Sequence, residues 1–452
     1  MDRAARPERP LRSLADASAW LESLFNVERS REWRYERLGL EPIRKLLERL
    51  GDPQTRLSAI HVAGSKGKGS TALLCEAVLQ AAGERVGTFT SPHLESWTER
   101  FRLGGREVDG PRLAAAVERV RPHVEALRAE DPARAPTFFD ATTAAALVLF
   151  AEERVDRAIV EVGLGGRLDS TNAIAPAVTC ITTIELEHTD KLGATLEAIA
   201  REKAGIAKPG RPLAIGALPT EAEAMVLERA EDVGAPVARL GRDFRVERRE
   251  AREGGLALEL RDGELRVEAI LPVLGAHQAD NAALALACVK RLGAHSDAAL
   301  AESAARGFAR AELPGRIEVL ARAPWIVVDG AHTAASARAL ARSIEGLPRR
   351  RAHIVLSISA GKDLSAILDA LLPLADRLTV TRAEPARSLA PEEIAAAARA
   401  ATPGLAMRVV PNPHLALRAA REAAEPDSLL VATGSVYLAG IARRLWRSAD
   451  SP

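Results

Sequence analysis

The segment from Leu57 to Ala82 constrains the fold of this chain more than any other. Leu57–Ala63 (LSAIHVA) is a short apolar run of the kind that forms a buried strand. Gly64-Ser65-Lys66-Gly67-Lys68-Gly69-Ser70 follows, and then a helical pattern over Ser70–Ala82 with apolar residues at Leu73, Leu74, Ala77, Val78 and Ala81. Gly83 is placed to end that helix, and Arg85–Thr90 reads as a second strand. Strand, glycine-rich turn, helix and strand make one βαβ unit. Glycines let backbone N–H groups converge on an anion, and the helix N-terminus adds a favourable dipole. Lys68 can reach the β- and γ-phosphates of a nucleotide, and the Ser70 hydroxyl can bind magnesium. The loop departs from the strict GxxxxGK[ST] pattern. Its first glycine comes two residues late, and Gly69 separates the lysine from the serine.

The alternation continues along the chain. Strands are expected at Ala158–Val162, Val178–Ile184 and Leu213–Ile215, with helices at Thr142–Glu153 and Thr195–Ala207. Helical spacing also runs through residues 13–50 and breaks at Gly51-Asp52-Pro53. This predicts a parallel sheet covered on both faces. Residues 240–273 differ. They alternate apolar and polar residues around Gly254-Gly255 and Asp262-Gly263, as a short antiparallel meander does. After Leu313-Pro314-Gly315 a second α/β series begins, with strands at Trp325–Val328, His353–Ser357, Leu378–Thr381, Met407–Val410 and Leu429–Ala432. The predicted domains are 1–312, a phosphate-loop ATP-binding domain with a small antiparallel subdomain, and 313–452, a Rossmann-like α/β domain.

Composition narrows the function. The 452 residues carry a net charge of +1, which argues against a broad basic surface for nucleic acid. Aromatics make up 3%, too few for base-stacking platforms. Cys75, Cys180 and Cys288 are far apart in sequence and lack zinc spacing, so reduced, buried thiols are expected. The charged N-terminal stretch lacks a signal-peptide core, and the longest apolar stretch, Ala141–Ala151, is too short to span a bilayer. A soluble cytoplasmic protein without a membrane partner is expected.

The run HVAGSKGKGSTALL, followed by TSPHL, resembles folylpolyglutamate synthase/dihydrofolate synthase, a family of the Mur-ligase-like superfamily. Mur ligases usually have a GTNGKT-type loop, one residue shorter, so Gly69 favours the folate branch. The resemblance spans about Trp20 to Tyr437, with its motifs in family order. It implies an ATP-dependent ligase, two magnesium ions, L-glutamate and a dihydropteroate or reduced folate as substrates, and a monomer.

Individual residues follow from that resemblance. Gly64, Ser65, Lys66, Gly67, Lys68, Gly69 and Ser70 would hold ATP. Glu161, opening EVGLGGRLDSTN at a strand end, would ligate magnesium, as a carboxylate beside a phosphate loop can. His188 would ligate a second magnesium, although that ion prefers oxygen; Glu187 stands where the family usually has Asp. Lys203, in Arg201-Glu202-Lys203-Ala204-Gly205-Ile206, matches a lysine that can be carbamylated in the family, and the resemblance implies the same here. That chemistry needs a neutral amine, so burial must depress its pKa. His277, Gln278 and Asn281 would lie near the nucleotide, Arg316 would reach the triphosphate, and Asp329 would contact the ribose or base region. His332 would line the glutamate-side cleft, while Thr333 replaces the usual Asn. Ser91, Pro92 and His93 with Phe138, Phe139 and Asp140 would border the pterin pocket, Asp140 standing for the usual Glu. Lys362-Asp363 and Gly434-Ser435-Val436-Tyr437 match weaker patterns.

Two other readings compete with this ligase. One is a related ligase acting on another acid, such as a cell-wall precursor, against which Gly69 and SPHL argue. The other is a phosphate-loop ATPase or switch, against which the second α/β domain with Asp329-Gly330-Ala331-His332 argues.

Overall fold

The computed structural model describes residues 10–26, 38–252 and 255–447. In chain order its elements are α1 (Leu14–Ser23), α2 (Glu41–Arg49), β1 (Ala59–Ala63), α3 (Lys68–Ala81), β2 (Val86–Phe89), β3 (Phe101–Leu103), β4 (Arg106–Glu107), α4 (Gly110–Glu130), α5 (Phe138–Glu152), β5 (Arg157–Glu161), β6 (Val178–Ile181), α6 (Thr189–Leu192), α7 (Leu196–Ala204), β7 (Leu213–Ile215), α8 (Thr220–Asp232) and β8 (Val237–Arg239). Then come β9 (Phe244–Arg252), β10 (Gly255–Asp262), β11 (Leu265–Leu271), α9 (His277–Arg291) and α10 (Asp297–Ala309). The rest are β12 (Glu318–Arg322), β13 (Trp325–Val328), α11 (Ala334–Glu345), β14 (Arg351–Leu356), α12 (Leu364–Leu371), β15 (Arg377–Val380), α13 (Pro391–Ala401), β16 (Ala406–Val409), α14 (Pro413–Glu422), β17 (Ser428–Thr433) and α15 (Val436–Arg447).

Among the described residues the first sheet runs β4-β3-β2-β5-β1-β6-β7-β8. Its strands from β2 to β8 are parallel, and β1, fully buried, lies between β5 and β6. Such a strand has no solvent-facing side, which is why its sequence is apolar at every position but His61 rather than alternating. Apolar clusters built from α4 and α5 and from α7 and α8 contribute to its core. The parallel-sheet expectation missed one feature, the antiparallel hairpin β3–β4. Gly104 and Gly105, with φ of 55° and 75°, supply the left-handed turn that it needs. The second sheet has the order β11-β10-β9, so consecutive strands neighbour one another as in a meander. The third runs β12-β13-β17-β14-β15-β16, parallel except for the edge strand β12.

The chain forms two compact units. One comprises residues up to Arg248 with Glu259–Ala269 and Asp280–Arg310; the other comprises Arg249–Leu258, Ile270–Ala279 and the chain from Ala311 onward. The sequence suggests a single cut near residue 312, whereas the meander adds further crossings. Strands that double back bring remote residues to one end: a Cβ on Gly255 would lie 2.1 Å from the carbonyl oxygen of Leu271. As a result, His277 and Gln278 group with the later residues and Asn281 with the earlier ones.

Two helices, α3 and α5, start earlier than the apolar spacing suggests, and α7 starts one residue after the expected Thr195, which caps it. α3 begins at Lys68 because Gly67, with φ of 84°, turns the backbone into it. α5 begins at Phe138 behind a capping box made by Thr137 and Asp140. The expectations for residues 27–37 and for the turn at Gly254 lie outside the described residues. The three cysteines are free and buried, as expected; remote in sequence, they nevertheless lie close enough for Cys75 and Cys180 to perturb the Cys288 thiol. Among the described residues no helix is long and apolar enough to cross a membrane.

Candidate active site

The phosphate loop leaves β1 and is held against the end of β6. Ser65 N–H donates to the Thr183 carbonyl (2.7 Å), Lys66 N–H to Thr183 Oγ1 (2.9 Å), and Thr182 Oγ1 to the Lys66 carbonyl. The Glu185 N–H donates to Ser65 Oγ (3.0 Å). Two glycines are required here. Gly64 has φ of 145°, and a Cβ on it would lie 1.9 Å from Thr182 Oγ1. A Cβ on Gly67 would meet Asn281 Oδ1 at 2.5 Å, so α9 closes against the loop at this point. Ser70 is buried in the first turn of α3.

Three lysines converge on one carboxylate. Lys68 Nζ donates to the Gly64 carbonyl (2.8 Å) and the Ser65 carbonyl (3.3 Å). Lys203 Nζ, on α7, donates to the same Gly64 carbonyl (2.9 Å). Glu187 accepts from Lys66 at 3.0 Å and from Lys203 at 3.4 Å. Burial pushes the Glu187 carboxyl up, but Lys68, Lys203 and Lys66 together outweigh it and hold the group well below the usual carboxylate range. Burial first, and then the charge of Lys68, pull the Lys203 ammonium down to about 7 against the opposing pull of Glu187. His188 is exposed and takes φ of 48°, a left-handed conformation at the start of α6 that a non-glycine residue adopts at some cost.

Glu161 ends β5, next to β1, and is buried. It accepts the Ser91 N–H at 3.0 Å, so the structure joins two of the expected site segments. Next to Ser91 the structure adds Trp97 and Arg100, which the sequence reasoning did not single out, to His93 and Phe138, which it did. The Arg100 guanidinium lies 4.9 Å from the Trp97 ring centre and 5.5 Å from that of Phe138, and it donates to His93 Nδ1 at 2.9 Å. The ring centres of His93 and Trp97 are 4.8 Å apart. Phe138 is a core residue, and Phe139 packs where a Cβ on Gly163 would be. Asp140 accepts from Thr137 N–H and Oγ1 and from Ser170 Oγ, each at 2.7 Å, so its carboxylate starts a helix and ties down a loop.

In the other unit, Asp329 follows β13. Its carboxylate accepts the Ile317 N–H (2.8 Å) and the Ala331 N–H (2.7 Å). Burial raises this carboxyl to about 6, the two backbone bonds and Arg316 only partly opposing it. Arg316 precedes Ile317, whose φ of 51° is left-handed, and its guanidinium reaches the Gly315 carbonyl at 3.5 Å. His332 Nδ1 is bonded to the Gly330 carbonyl at 2.8 Å. Thr333 caps α11 in a reciprocal box with Ser336. His277 is exposed at the start of α9, over Gly275, while Gln278 is buried.

The Mur ligase middle domain matches residues 62–289, and the glutamate ligase domain of Mur ligases matches residues 315–436. The dihydrofolate synthase/folylpolyglutamate synthase of Mycobacterium tuberculosis is 36% identical over 94% of this chain and 94% of its own length. This chain belongs to that family of Mur ligases. A probable bifunctional folylpolyglutamate synthase/dihydropteroate synthase of Haloferax volcanii is also 36% identical, over 92% of this chain, which spans only 49% of that protein. Among solved structures, the folylpolyglutamate synthase of M. tuberculosis complexed with ADP superposes with a TM-score of 0.87 at 34% identity, covering 96% of this chain and 98% of that one. E. coli FolC in complex with DHPP and ADP superposes with a TM-score of 0.82 at 28% identity, covering 100% of each.

As a Mur ligase of the folate branch the protein is an ATP-dependent ligase. Its oxygen donors suit magnesium in kind: the Ser70 hydroxyl and the Glu161 carboxylate are both buried. Among the described residues no three His, Cys, Asp or Glu side chains are grouped to hold a metal. Few protein ligands are what magnesium needs when phosphate oxygens and water complete its shell. The sequence reasoning overlooked Thr182 and Thr183. The threonine pair at the end of an apolar strand, in Val178-Thr179-Cys180-Ile181-Thr182-Thr183, was the available signal.

Proposed function

We propose that this chain joins L-glutamate to the carboxylate of a dihydropteroate or folate through an acyl phosphate made from ATP. The observation that carries the reading is the convergence of Lys66, Lys68 and Lys203 on Gly64 and Glu187 at the phosphate loop. A triphosphate entering that loop would give Lys66 and Lys68 an anion to bind and would relieve their mutual repulsion, while Lys203, lowered to about 7, is the member of the three that readily loses its proton.

The substrate carboxylate oxygen attacks the γ-phosphorus, the bond to ADP breaks, and an acyl phosphate results. The glutamate amine then attacks the acyl carbon, loses a proton, and expels inorganic phosphate. Phosphoryl transfer asks for positioning and charge neutralisation more than for a protein nucleophile. Lys68 and the N–H groups at the start of α3 would hold the β- and γ-phosphates. Ser70 and Glu161 would hold magnesium, with His188 and carbamylated Lys203 at a second ion; the metal, when bound, neutralises phosphate charge. Carbamylation adds the neutral Lys203 amine to carbon dioxide with loss of one proton, and the low ammonium pKa favours the neutral amine. We assign nucleotide contacts to Asn281, His277, Gln278, Arg316 and Asp329, the glutamate-side cleft to His332, and the pterin border to Ser91, Pro92, His93 and Phe139.

A product assay with ATP, glutamate and either dihydropteroate or tetrahydrofolate tests the reading. An amide product that requires all three is expected. No amide from either acid, or phosphate release that ignores both substrates, overturns it.

A further inference from the structure

His61 lies at the centre of β1, fully buried between β5 and β6, three residues before the phosphate loop begins. Its Nε2 is 2.9 Å from Thr171 Oγ1. The Thr171 hydroxyl has one proton, and it donates that proton to Asp169 Oδ1. Thr171 can therefore only accept from the histidine, so Nε2 carries the ring hydrogen. The ring is neutral, because burial, aided by the charge of Lys208, pulls its pKa down to about 3. Nδ1 is then an acceptor, and it is buried without a protein hydrogen-bond partner. A leucine or phenylalanine would fill this core position without that orphan, so the donor is retained at a cost.

The relay ends on a segment that grips α7. Asp169 also accepts the Thr171 N–H (3.0 Å) and, through Oδ2, the Leu164 N–H (2.9 Å), which closes the turn after Glu161. From that turn, Arg167 N–H donates to the Glu202 carbonyl (2.8 Å) and its side chain pairs with the Glu202 carboxylate (2.8 Å). Asn172 Nδ2 donates to the carbonyls of Arg167 (3.0 Å) and Gly205 (3.2 Å). A Cβ on Gly166 would sit 2.9 Å from the Glu202 carbonyl and 3.1 Å from that of Lys203, so the contact is close enough to need glycine. The two residues gripped, Glu202 and Gly205, flank Lys203, whose ammonium returns to Gly64.

We infer that His61 is a positioning residue of the ligase site: by donating through Nε2 to Thr171 it fixes the 163–172 segment, which in turn sets Lys203 against the phosphate loop. The residue touches no reacting atom and acts through Thr171 and Asp169. For its effect on activity the inference rests on the ligase reading above.

The test uses the full chain with His61→Gln, His61→Asn, Thr171→Val and the double variant His61→Asn/Thr171→Val. A glutamine amide nitrogen can take the place of Nε2, whereas an asparagine amide reaches only as far as Nδ1. His61→Gln is expected to keep kcat within about threefold, and His61→Asn and Thr171→Val to lower it about tenfold, with KM for ATP moving less than about threefold. The double variant should be no worse than either single one, as for two links of a single chain. Amide exchange at Leu164 and Thr171 should accelerate in the Asn and Val variants and not in Gln. The inference is overturned if Gln and Asn behave alike, if kcat falls only in proportion to the unfolded fraction, or if exchange in the segment is unchanged. The exchange experiment needs no turnover. If the wild-type chain makes no amide product, the ligase reading fails, while exchange still decides whether His61 ties the segment.

Discussion

Glu187 and Asp329 each follow a strand of a parallel sheet, each is largely enclosed, and their carboxyl groups shift in opposite directions. Glu187 is held well below the ordinary range because three ammonium charges outweigh its burial. Asp329 is raised to about 6 because its acceptors are met mainly by two backbone N–H groups, which do not offset the loss of water. The difference lies in the partners rather than in depth. Whole charges ready a pocket for the exchange of one anion for another. Backbone amides fix a turn, here the left-handed Ile317 beside Arg316.

Four changes would break or sharpen this contrast. Lys68→Ala removes a cation that we place on the transferred phosphate, so kcat/KM should fall about a thousandfold, or about 4 kcal/mol, with little change in melting temperature. An equal loss of Tm would show that the lysines are structural. Glu187→Gln leaves buried ammonium groups without a counter-charge and should cost about 3 kcal/mol of unfolding free energy near neutral pH. Lys203 would lose its partner and its pKa would drop further below about 7, so its share of the deficit should shrink as pH rises toward about 7 and vanish above it, as denaturant titrations across pH would read.

Asp329→Ala strands two backbone donors and should cost about 2 kcal/mol. In the wild type the folded state holds the Asp329 proton to about pH 6 while the unfolded chain releases it near 3.8. The folded form therefore binds more protons in that window, and stability should decline as pH rises from about 4 to about 6. The variant should lack that decline, and a matching slope in both proteins would refute the assignment. Thr333→Ala removes one helix cap and should cost about 1 kcal/mol, with Thr333→Asn recovering most of it.

Much of the fold was legible in the sequence because its signals are local. The apolar run of β1, the glycines of the loop and the spacing of α3 lie within one stretch, and Leu213–Ile215 and Trp325–Val328 form strands at the expected residues. Legibility ended where partners are remote. Nothing near Gly64 indicates that Thr182 excludes a side chain there, and nothing near Ser91 indicates that Arg100 would lie against Trp97 and Phe138. Asp140 shows a task that the motif does not announce: it stands where the resemblance puts a pterin-border residue, and its carboxylate caps α5 and holds Ser170. Thr333 is similar, its hydroxyl engaged with Ser336 at the start of α11.

The hairpin after β2 bears on how these molecules behave at high concentration. An unpaired strand edge invites the next polypeptide to add itself, and long apolar edges seed fibres. In the first sheet one border is β4, two residues long, exposed and carrying opposite charges at Arg106 and Glu107; the other is β8, only three residues long. Neither offers the six or so consecutive residues that stacking strands require. A sheet whose middle strands are almost wholly apolar is thereby kept from recruiting its neighbours, at the expense of a turn that only a pair of glycines makes easily.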